Sequence, residues 1–450
     1  RIGIARALAL SGGGPTLLEM ETFRMRGHEE ASGTKYVPQE LMDDWATRDP
    51  IDRMVRWAVQ RGISQEEIDA MRSDMVAEVD RVAEYALAQP EAVSTLEAET
   101  SDVFAPHPEP TLPVREQGDG KVEKDVRFID AISQALDAAM AASDDVILMG
   151  QDIAEYGGVF KVTEGMAERY GLDRVRNTPI IESGAVGCAL GLALEGKTPV
   201  LEIQYADFIT CGFNQIVNNV ATTRYRWGAR AGVSTGVVIR APFGGGIGAG
   251  PFHSQSIEAW FAHVPGLQVV IPSSPHDAKG LLLSAIGDPN PTLFLEHKKL
   301  YRSLRGDVPA DAYVVPIGKA RVAREGSDLT LVSWGVGVGW ALEAAERFAG
   351  EGASLEVVDL RTLTPWDRET VLASVKKTNR LVVVHEAWRT GGFGAEVAAE
   401  IAEVAFADLD APPARVGARD LPIPFAKQIE DEIFSAHARL DQTLRRTLSF

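Results

Sequence analysis

The chain is nearly without cysteine: Cys188 and Cys211 are the two among 450 residues. That is too few for a disulfide framework and suits a reducing compartment. No run approaches the roughly 18 uninterrupted apolar residues that a membrane span needs; the longest apolar-plus-glycine stretch, 184–196, is short and ends in charge. Positive charge is scarce too, with 45 Lys and Arg against 64 Asp and Glu, a formal net charge of −19. This argues against general binding to nucleic acid or to an anionic membrane, although Lys298, Lys299, Arg302 and Arg305 form one local basic patch. No Cys/His cluster has zinc spacing, no Gly-x-Ser-x-Gly elbow occurs, and "GVGVG" (335–339) lacks the third glycine of a dinucleotide fingerprint. The chain opens at Arg1 inside a helical pattern, with no initiator Met and no signal peptide, so a fragment is expected.

What is present is ordinary soluble composition, 45% hydrophobic and 24% charged, over a length that predicts two or three domains. Three textures follow one another. Residues 65–89 place Ile68, Met71, Met75, Val79, Val82 and Ala86 on one helical stripe. Residues 90–124 carry five prolines, many acids and no apolar period, and read as a linker. From Val126 onward, strand patterns such as "VILMG", "TPVLEIQY", "TGVVIRAP", "LQVVIP" and "PTLFLEH" alternate with helical ones, including a long helical stretch at 207–227. A second alternating unit starts near residue 328. The alternation predicts α/β architecture, mainly parallel sheets with helices on both faces.

Within this frame a few side chains could carry chemistry. Glu182 stands in "NTPIIESGAVG", between an apolar step and a run of small residues. It is either a first-turn acid favoured by the helix dipole or a carboxyl available for proton exchange with a buried ligand nitrogen. His253 ends a segment holding five glycines and precedes a helix, a setting for a general acid/base as well as for a structural histidine. "QYADF" puts Gln204 and Phe208 at the end of a strand, where open parallel sheets bind ligands. His28 is flanked by Arg24 and Arg26, which favours either anion recognition or a solvated basic turn. "GDG" (118–120) and "NN" (218–219) look like the two ends of a diphosphate- and metal-binding signature, but a whole strand–helix–strand unit separates them, so neither is taken as a site.

Several long motifs then appear in order: "LMGQDIAEYGGVFKVTEG", "NTPIIESGAVGCALGLALEG", "YADFITCGFNQIVNN", "GPFHSQSIEAWFAHVPGLQVVIPSSP", "DLRTLTPWD" and "VVVHEAW". From Val126 to about Phe425 the chain resembles the beta subunit of thiamine-diphosphate-dependent 2-oxoacid dehydrogenases, the decarboxylating first component of large multienzyme complexes. Residues 15–58 resemble the tail of the alpha subunit, so the chain resembles an alpha–beta fusion or part of one. "EIQYADF", "LYR" after "EHK", and "HEAW" are closer to the branched-chain (2-oxoisovalerate) type than to pyruvate dehydrogenase.

The resemblance implies a transketolase-like fold: an alpha-type helical fragment at 1–89, a linker at 90–124, a pyrimidine-binding domain at 125–305, a connector at 306–327 and a transketolase C-terminal domain at 328–450. It implies that Glu182 drives the cofactor's aminopyrimidine to its imino form, that Phe208 stacks on that ring, and that Gln204 and Ile180 line the pocket. His253 matches the histidine of reductive acylation, where a lipoyl group takes the acyl fragment, and His28 matches an alpha-type histidine near substrate and diphosphate. "SAIGDPNP" (284–291) matches a potassium loop using carbonyls of Ala285, Ile286 and Asp288, the Asn290 side chain, and Val237 from a neighbouring strand. Magnesium ligands belong to the alpha-type part and are expected outside this segment. In the alpha-type loop Glu29 stands where the family has a serine, and Val37 follows Tyr36.

The implied activity is oxidative decarboxylation of a branched-chain 2-oxo acid with acyl transfer to lipoyl domains of a core acyltransferase. Pyruvate or acetoin dehydrogenase, and a non-catalytic assembly subunit of the same fold, are the alternatives. Expected partners are those lipoyl domains, the acyltransferase and an alpha-type module, in an oligomer of at least a dimer, with no nucleic acid and no membrane. The expected compartment is the cytoplasm, or the mitochondrial matrix in a eukaryote.

Overall fold

A computed structural model describes the chain except residues 30, 32, 92, 107–119, 228–234 and 435, and the side chains of 436–438. The first two residues of "GDG" and the middle of the predicted linker, residues 107–119, therefore lie outside the described residues. The described chain forms two compact units, Arg1–Val93 and Ser94–Phe450.

The first unit is helical, with helices Ile2–Leu10, Gln39–Ala46, Pro50–Val59 and Gln65–Leu87. The last begins at a capping box in which the Ser64 hydroxyl accepts the Glu67 N–H and the Glu67 carboxylate accepts the Ser64 N–H. Its predicted apolar stripe forms on one face, yet only Ile68 is buried. Phe23 stacks on Trp45 with ring centroids 5.5 Å apart.

The second unit contains the alternating pattern as two parallel-type sheets. β1 (Val122–Arg127) pairs with β8 (Arg305–Pro309) as a separate antiparallel ribbon. β2 (Val146–Gly150), β3 (Val175–Asn177), β4 (Thr198–Glu202), β5 (Val238–Phe243), β6 (Gln268–Val270) and β7 (Thr292–His297) are mutually parallel. β9 (Arg321–Arg324), β10 (Leu329–Ser333), β11 (Leu355–Asp359), β13 (Leu381–Trp388) and β14 (Ala414–Ala418) form the second sheet, in the order β14-β13-β10-β11-β9. β12 (Thr362–Thr364) leaves that unit and adds antiparallel to β6, which gives the first sheet seven strands in the order β12-β6-β7-β5-β4-β2-β3. Every residue of β5, β7, β10 and β11 is buried, as near-continuous apolar strands covered on both faces require.

The two sheets are also latched by charge. Arg361 reaches Asp277 at 2.7 Å, and Arg321 reaches Asp277 at 3.6 Å and Asp359 at 3.2 Å. Burial raises the Asp277 carboxyl, but the His276 hydrogen bond, the two guanidinium groups and the Ser274 hydroxyl outweigh it and bring the pKa to about 2.

Two segments differ from the sequence expectation. The long helix predicted at 207–227 is a 3₁₀ segment Ala206–Gly212, a π segment Gln215–Val220 and a short helix Thr223–Trp227. The tightening has a steric counterpart at Gly212, where an added Cβ would stand 3.5 Å from the Glu182 carbonyl group and 3.3 Å from Val186. The start of the predicted linker is structured. Helix Leu96–Ser101 is capped by the Thr95 hydroxyl, Asp102 pairs with Arg224 at 3.2 Å, and the Tyr225 hydroxyl donates to Glu99 at 2.7 Å. Its end is structured too, since 122–124 belong to β1.

Candidate active site

The parallel strands of the first sheet all end on one edge, and the chemistry-bearing residues leave the sheet there. Gln151 follows β2, Glu182 follows β3, Gln204 to Phe208 follow β4, the glycine segment follows β5, and Lys298 follows β7. Open α/β sheets bind ligands at this carboxyl edge.

Glu182 is the first residue of helix Glu182–Leu194 and is 8% exposed. The Gln151 side-chain amide donates to its Oε1 at 3.1 Å. Beside this buried carboxyl, Ile180 and Ile181 stand 84% and 54% exposed. An open apolar ledge next to an inward carboxyl suits a flat heteroaromatic ring that needs both stacking surface and a proton partner. Phe208 is half-buried on the 3₁₀ turn that packs, through Gly212, against the backbone of Glu182. Gln204 is half-buried at the exit of β4.

His253 joins this group through aromatic contacts. Its ring lies edge-on to Tyr205 at 4.5 Å and to Phe208 at 5.4 Å, and Tyr205 meets Phe208 at 5.8 Å. Tyr205 continues to Phe160 at 5.6 Å and Phe160 to Tyr301 at 5.1 Å. Below them Arg240 is fully buried, with two nitrogens on Glu296 at 2.6 and 2.8 Å and one on Glu202 at 2.9 Å. The Tyr301 hydroxyl completes the set by donating to Glu296 at 2.6 Å. Burial pushes the Glu202 carboxyl upward against the pull of Arg240. This network ties the ends of β4, β5 and β7 together under the aromatic cluster.

The glycine segment is held rather than loose. Asp207 Oδ1 accepts the N–H groups of Ser254 and Gln255, each at 3.1 Å. Glu386 Oε1 accepts the Gly245 N–H at 2.7 Å and the Ser256 hydroxyl at 2.9 Å, while its Oε2 faces His297 Nε2 at 2.9 Å. Burial drives Glu386 up, but His297, the Gly245 N–H and the Ser256 hydroxyl hold it below the ordinary carboxylate range. Glu430 spans the Gly246 and Gly248 N–H groups, both at 2.9 Å. Gly244 sits at φ +84°, and a Cβ there would collide with the His297 ring.

Glu182, Gln204, Phe208, Ile180 and His253 therefore lie on one sheet edge. His28 belongs to the other compact unit, where it is exposed. Lys298, read from the sequence as part of a surface patch, is 5% exposed, whereas Lys299, Arg302 and Arg305 are exposed. Tyr205, Asp207, Lys298, Glu386 and Glu430 join the site in the structure without a sequence signal that marks them as site residues. Tyr205 and Asp207 stand inside "QYADF", but the two glutamates come from the second sheet unit, which no local motif connects to the first.

For metals the fit is poorer. Among the described residues no group of three or more His, Cys, Asp and Glu side chains is placed to hold an ion. In the predicted potassium loop, Asn290 Oδ1 accepts the Ala105 N–H at 2.6 Å, and its Nδ2 donates to the Ala105 carbonyl at 3.1 Å and to Asp288 Oδ1 at 2.8 Å. The Val237 carbonyl accepts the Thr292 N–H at 2.9 Å, and the Ala285 carbonyl accepts the Asp288 N–H at 3.4 Å. The Asn290, Val237 and Ala285 oxygens each already accept one hydrogen bond from the protein, which leaves a single lone pair on each for a cation.

The geometry is that of a transketolase-like pair of domains, and comparison with known proteins agrees. The model of the transketolase pyrimidine-binding domain matches 124–303, that of the transketolase C-terminal domain matches 318–439, and that of the dehydrogenase E1 component matches 2–94. Over 301 residues, 67% of this chain and 84% of the relative, it is 50% identical to 2-oxoisovalerate dehydrogenase subunit beta 2, mitochondrial, of Arabidopsis thaliana. It is 44% identical over 324 residues to 2-oxoisovalerate dehydrogenase subunit beta of Bacillus subtilis, covering 72% of this chain and 98% of that one. It is 48% identical over 300 residues to pyruvate dehydrogenase E1 component subunit beta of Staphylococcus epidermidis, covering 67% and 92%. A solved split-gene transketolase, an inactive beta4 tetramer, shares the fold at TM-score 0.58 and 23% identity, over 72% of this chain and 99% of that one.

The chain belongs to the thiamine-diphosphate-dependent 2-oxoacid dehydrogenase first components, with an alpha-type segment and beta-type domains fused in one polypeptide. Among the described residues no helix is long and apolar enough to cross a membrane.

Proposed function

We propose that this protein decarboxylates a branched-chain 2-oxo acid and passes the acyl group, with oxidation, to a lipoyl group of a complex core. One observation carries the reading: a buried carboxyl at a helix start, an open apolar ledge and an aromatic–histidine cluster share the carboxyl edge of one parallel sheet. When bound, thiamine diphosphate supplies the nucleophilic carbon and the electron sink for loss of carbon dioxide.

Glu182, oriented by Gln151, exchanges a proton with the pyrimidine ring nitrogen, while Phe208 and Ile180 fix the ring plane and Gln204 lines the pocket. His253, fixed edge-on between Tyr205 and Phe208, serves the transfer step. There the lipoyl S–S bond would break on taking the electron pair left by loss of carbon dioxide: one sulfur keeps the acyl carbon, whose bond to the cofactor breaks as its hydroxyl proton is lost, and His253 gives a proton to the other sulfur. His28, from the alpha-type segment, is assigned to substrate and diphosphate contact. Lipoyl domains, their acyltransferase and an alpha-type module are the proposed partners.

Branched-chain preference rests on the motifs "EIQYADF" and "HEAW"; pyruvate is the second reading because pyruvate dehydrogenase beta subunits are comparably similar. A substrate panel with an artificial electron acceptor separates them. The highest kcat/KM is expected for 3-methyl-2-oxobutanoate, ahead of pyruvate and 2-oxoglutarate. A higher value for pyruvate transfers the assignment to the second reading.

A further inference from the structure

Three carboxylates hold the backbone of one loop, and they come from three different places in the chain. Asp207 lies on the 3₁₀ turn after β4, Glu386 on β13, and Glu430 on helix Lys427–Phe434. Together they accept the N–H groups of Gly245, Gly246, Gly248, Ser254 and Gln255, and so fix both arms of the loop that carries His253. All three are buried. Three acids gathered under one loop repel one another where water cannot screen them. Of these three acids His297 hydrogen-bonds to Glu386 and, among the described residues, to neither of the others.

Lys298 follows His297, the partner of Glu386, and its N–H donates to the carbonyl of Phe243, the residue before the loop, at 3.0 Å. Its Nζ is buried, makes no hydrogen bond among the described residues, and lies 5.8 Å from the Tyr205 ring centroid. Asp207, Glu386 and Glu430 each attract it, which opposes the downward push of burial and leaves it near pKa 8. An amine so deeply buried and unbonded is destabilising by itself, so its presence calls for a compensating role. Asp207 Oδ2 is likewise buried and without a hydrogen bond among the described residues, and its carboxylate is the first of the three charges that attract Lys298.

We infer that Lys298 is a positioning residue for His253: its buried ammonium is the shared counter-charge that lets Asp207, Glu386 and Glu430 hold the 244–256 loop together. Lys298 Nζ makes no hydrogen bond to Glu182, Phe208 or His253; it acts through the loop. The consequence for acyl transfer rests on the reading of His253 given above, whereas the consequence for the loop does not.

The test uses the full chain with Lys298→Met, which keeps length and apolar volume but removes charge, and Lys298→Arg, which restores charge. Amide hydrogen exchange at Gly245, Gly246, Gly248, Ser254 and Gln255 should rise about tenfold or more in Lys298→Met, with the amides of β5 and β7 unchanged, and Lys298→Arg should recover most of the protection. Acyl transfer to a lipoyl domain should fall about tenfold further than decarboxylation coupled to an artificial acceptor. Unaltered protection at the five amides, or a uniform rise that includes β5 and β7, overturns the proposal.

Where Lys298→Met does not fold, Lys298→Gln is read the same way. A double-mutant cycle with Glu430→Gln then decides: the charge removal should be less damaging when one carboxylate is already neutral, and simple additivity contradicts the inference. His253→Ala is run in parallel. Equal loss of both activities in that variant rejects the role given to His253, while the amide protection still decides the role of Lys298.

Discussion

Glu258 shows how a single buried carboxyl sets a pH dependence. It is 1% exposed, accepts one hydrogen bond from the Trp334 indole at 3.1 Å, and leaves Oε2 without a partner. Burial is the main reason its pKa rises to about 7, with Glu386 adding to the push. An unfolded carboxyl loses its proton near its ordinary value of 4.5, while the folded one keeps it until about 7. The native state therefore binds more protons across that window, and stability falls as pH rises through it. The full difference is about 3 kcal/mol at most. Glu258→Gln should remove this slope, so the variant should gain about 2–3 kcal/mol on wild type between about pH 5 and pH 8 in denaturant titrations. An equal variant–wild-type difference at both pH values contradicts the assignment. Residues of this kind explain what was legible. Glu182, Phe208 and His253 stood out because small residues, a strand end and a glycine run surround them in the sequence. Lys298 did not, because Lys299, Arg302 and Arg305 nearby are exposed, and burial of one lysine among them is a tertiary fact.

Among the elements, the strands and most helices of the two sheet units follow the alternation of the sequence, since long apolar strands and amphipathic helices are each specified locally. The exceptions are set by distant partners. The segment 206–227 is not one helix but a 3₁₀, a π and a short α segment, and its first part packs through Gly212 against the backbone of Glu182 and the side chain of Val186. The segment 94–105 is not a free linker, because Asn290 grips the Ala105 peptide from both sides and Arg224 and Tyr225 hold its helix. Its acids and hydroxyl residues carry no apolar period, so nothing local predicted the docking. Asn290→Ala should release this strap: exchange of the Ala105 amide should rise about tenfold and limited proteolysis should cut near 94–105, with the sheets intact. Continued protection of Ala105 in that variant would show that Asn290 is not its anchor.

At the scale of the molecule, the strong negative charge and the absence of a described membrane-spanning helix exclude little by themselves. The family becomes readable only when the motifs are taken in order along the chain. The two beta-type sheets are latched by Asp277, Asp359, Arg321 and Arg361 and joined by β12, and the carboxyl edge of the first is the one proposed above to hold the cofactor ring. The central claim is that this edge is a working thiamine-diphosphate site with Glu182 as its proton partner. The most direct measurement is decarboxylation of 3-methyl-2-oxobutanoate by the full chain and by Glu182→Gln, with thiamine diphosphate, magnesium and an artificial electron acceptor. The account predicts a loss of about a hundredfold or more in kcat for Glu182→Gln with an unchanged circular dichroism spectrum. Turnover within about twofold of wild type in that variant would return Glu182 to the part of a helix-start acid.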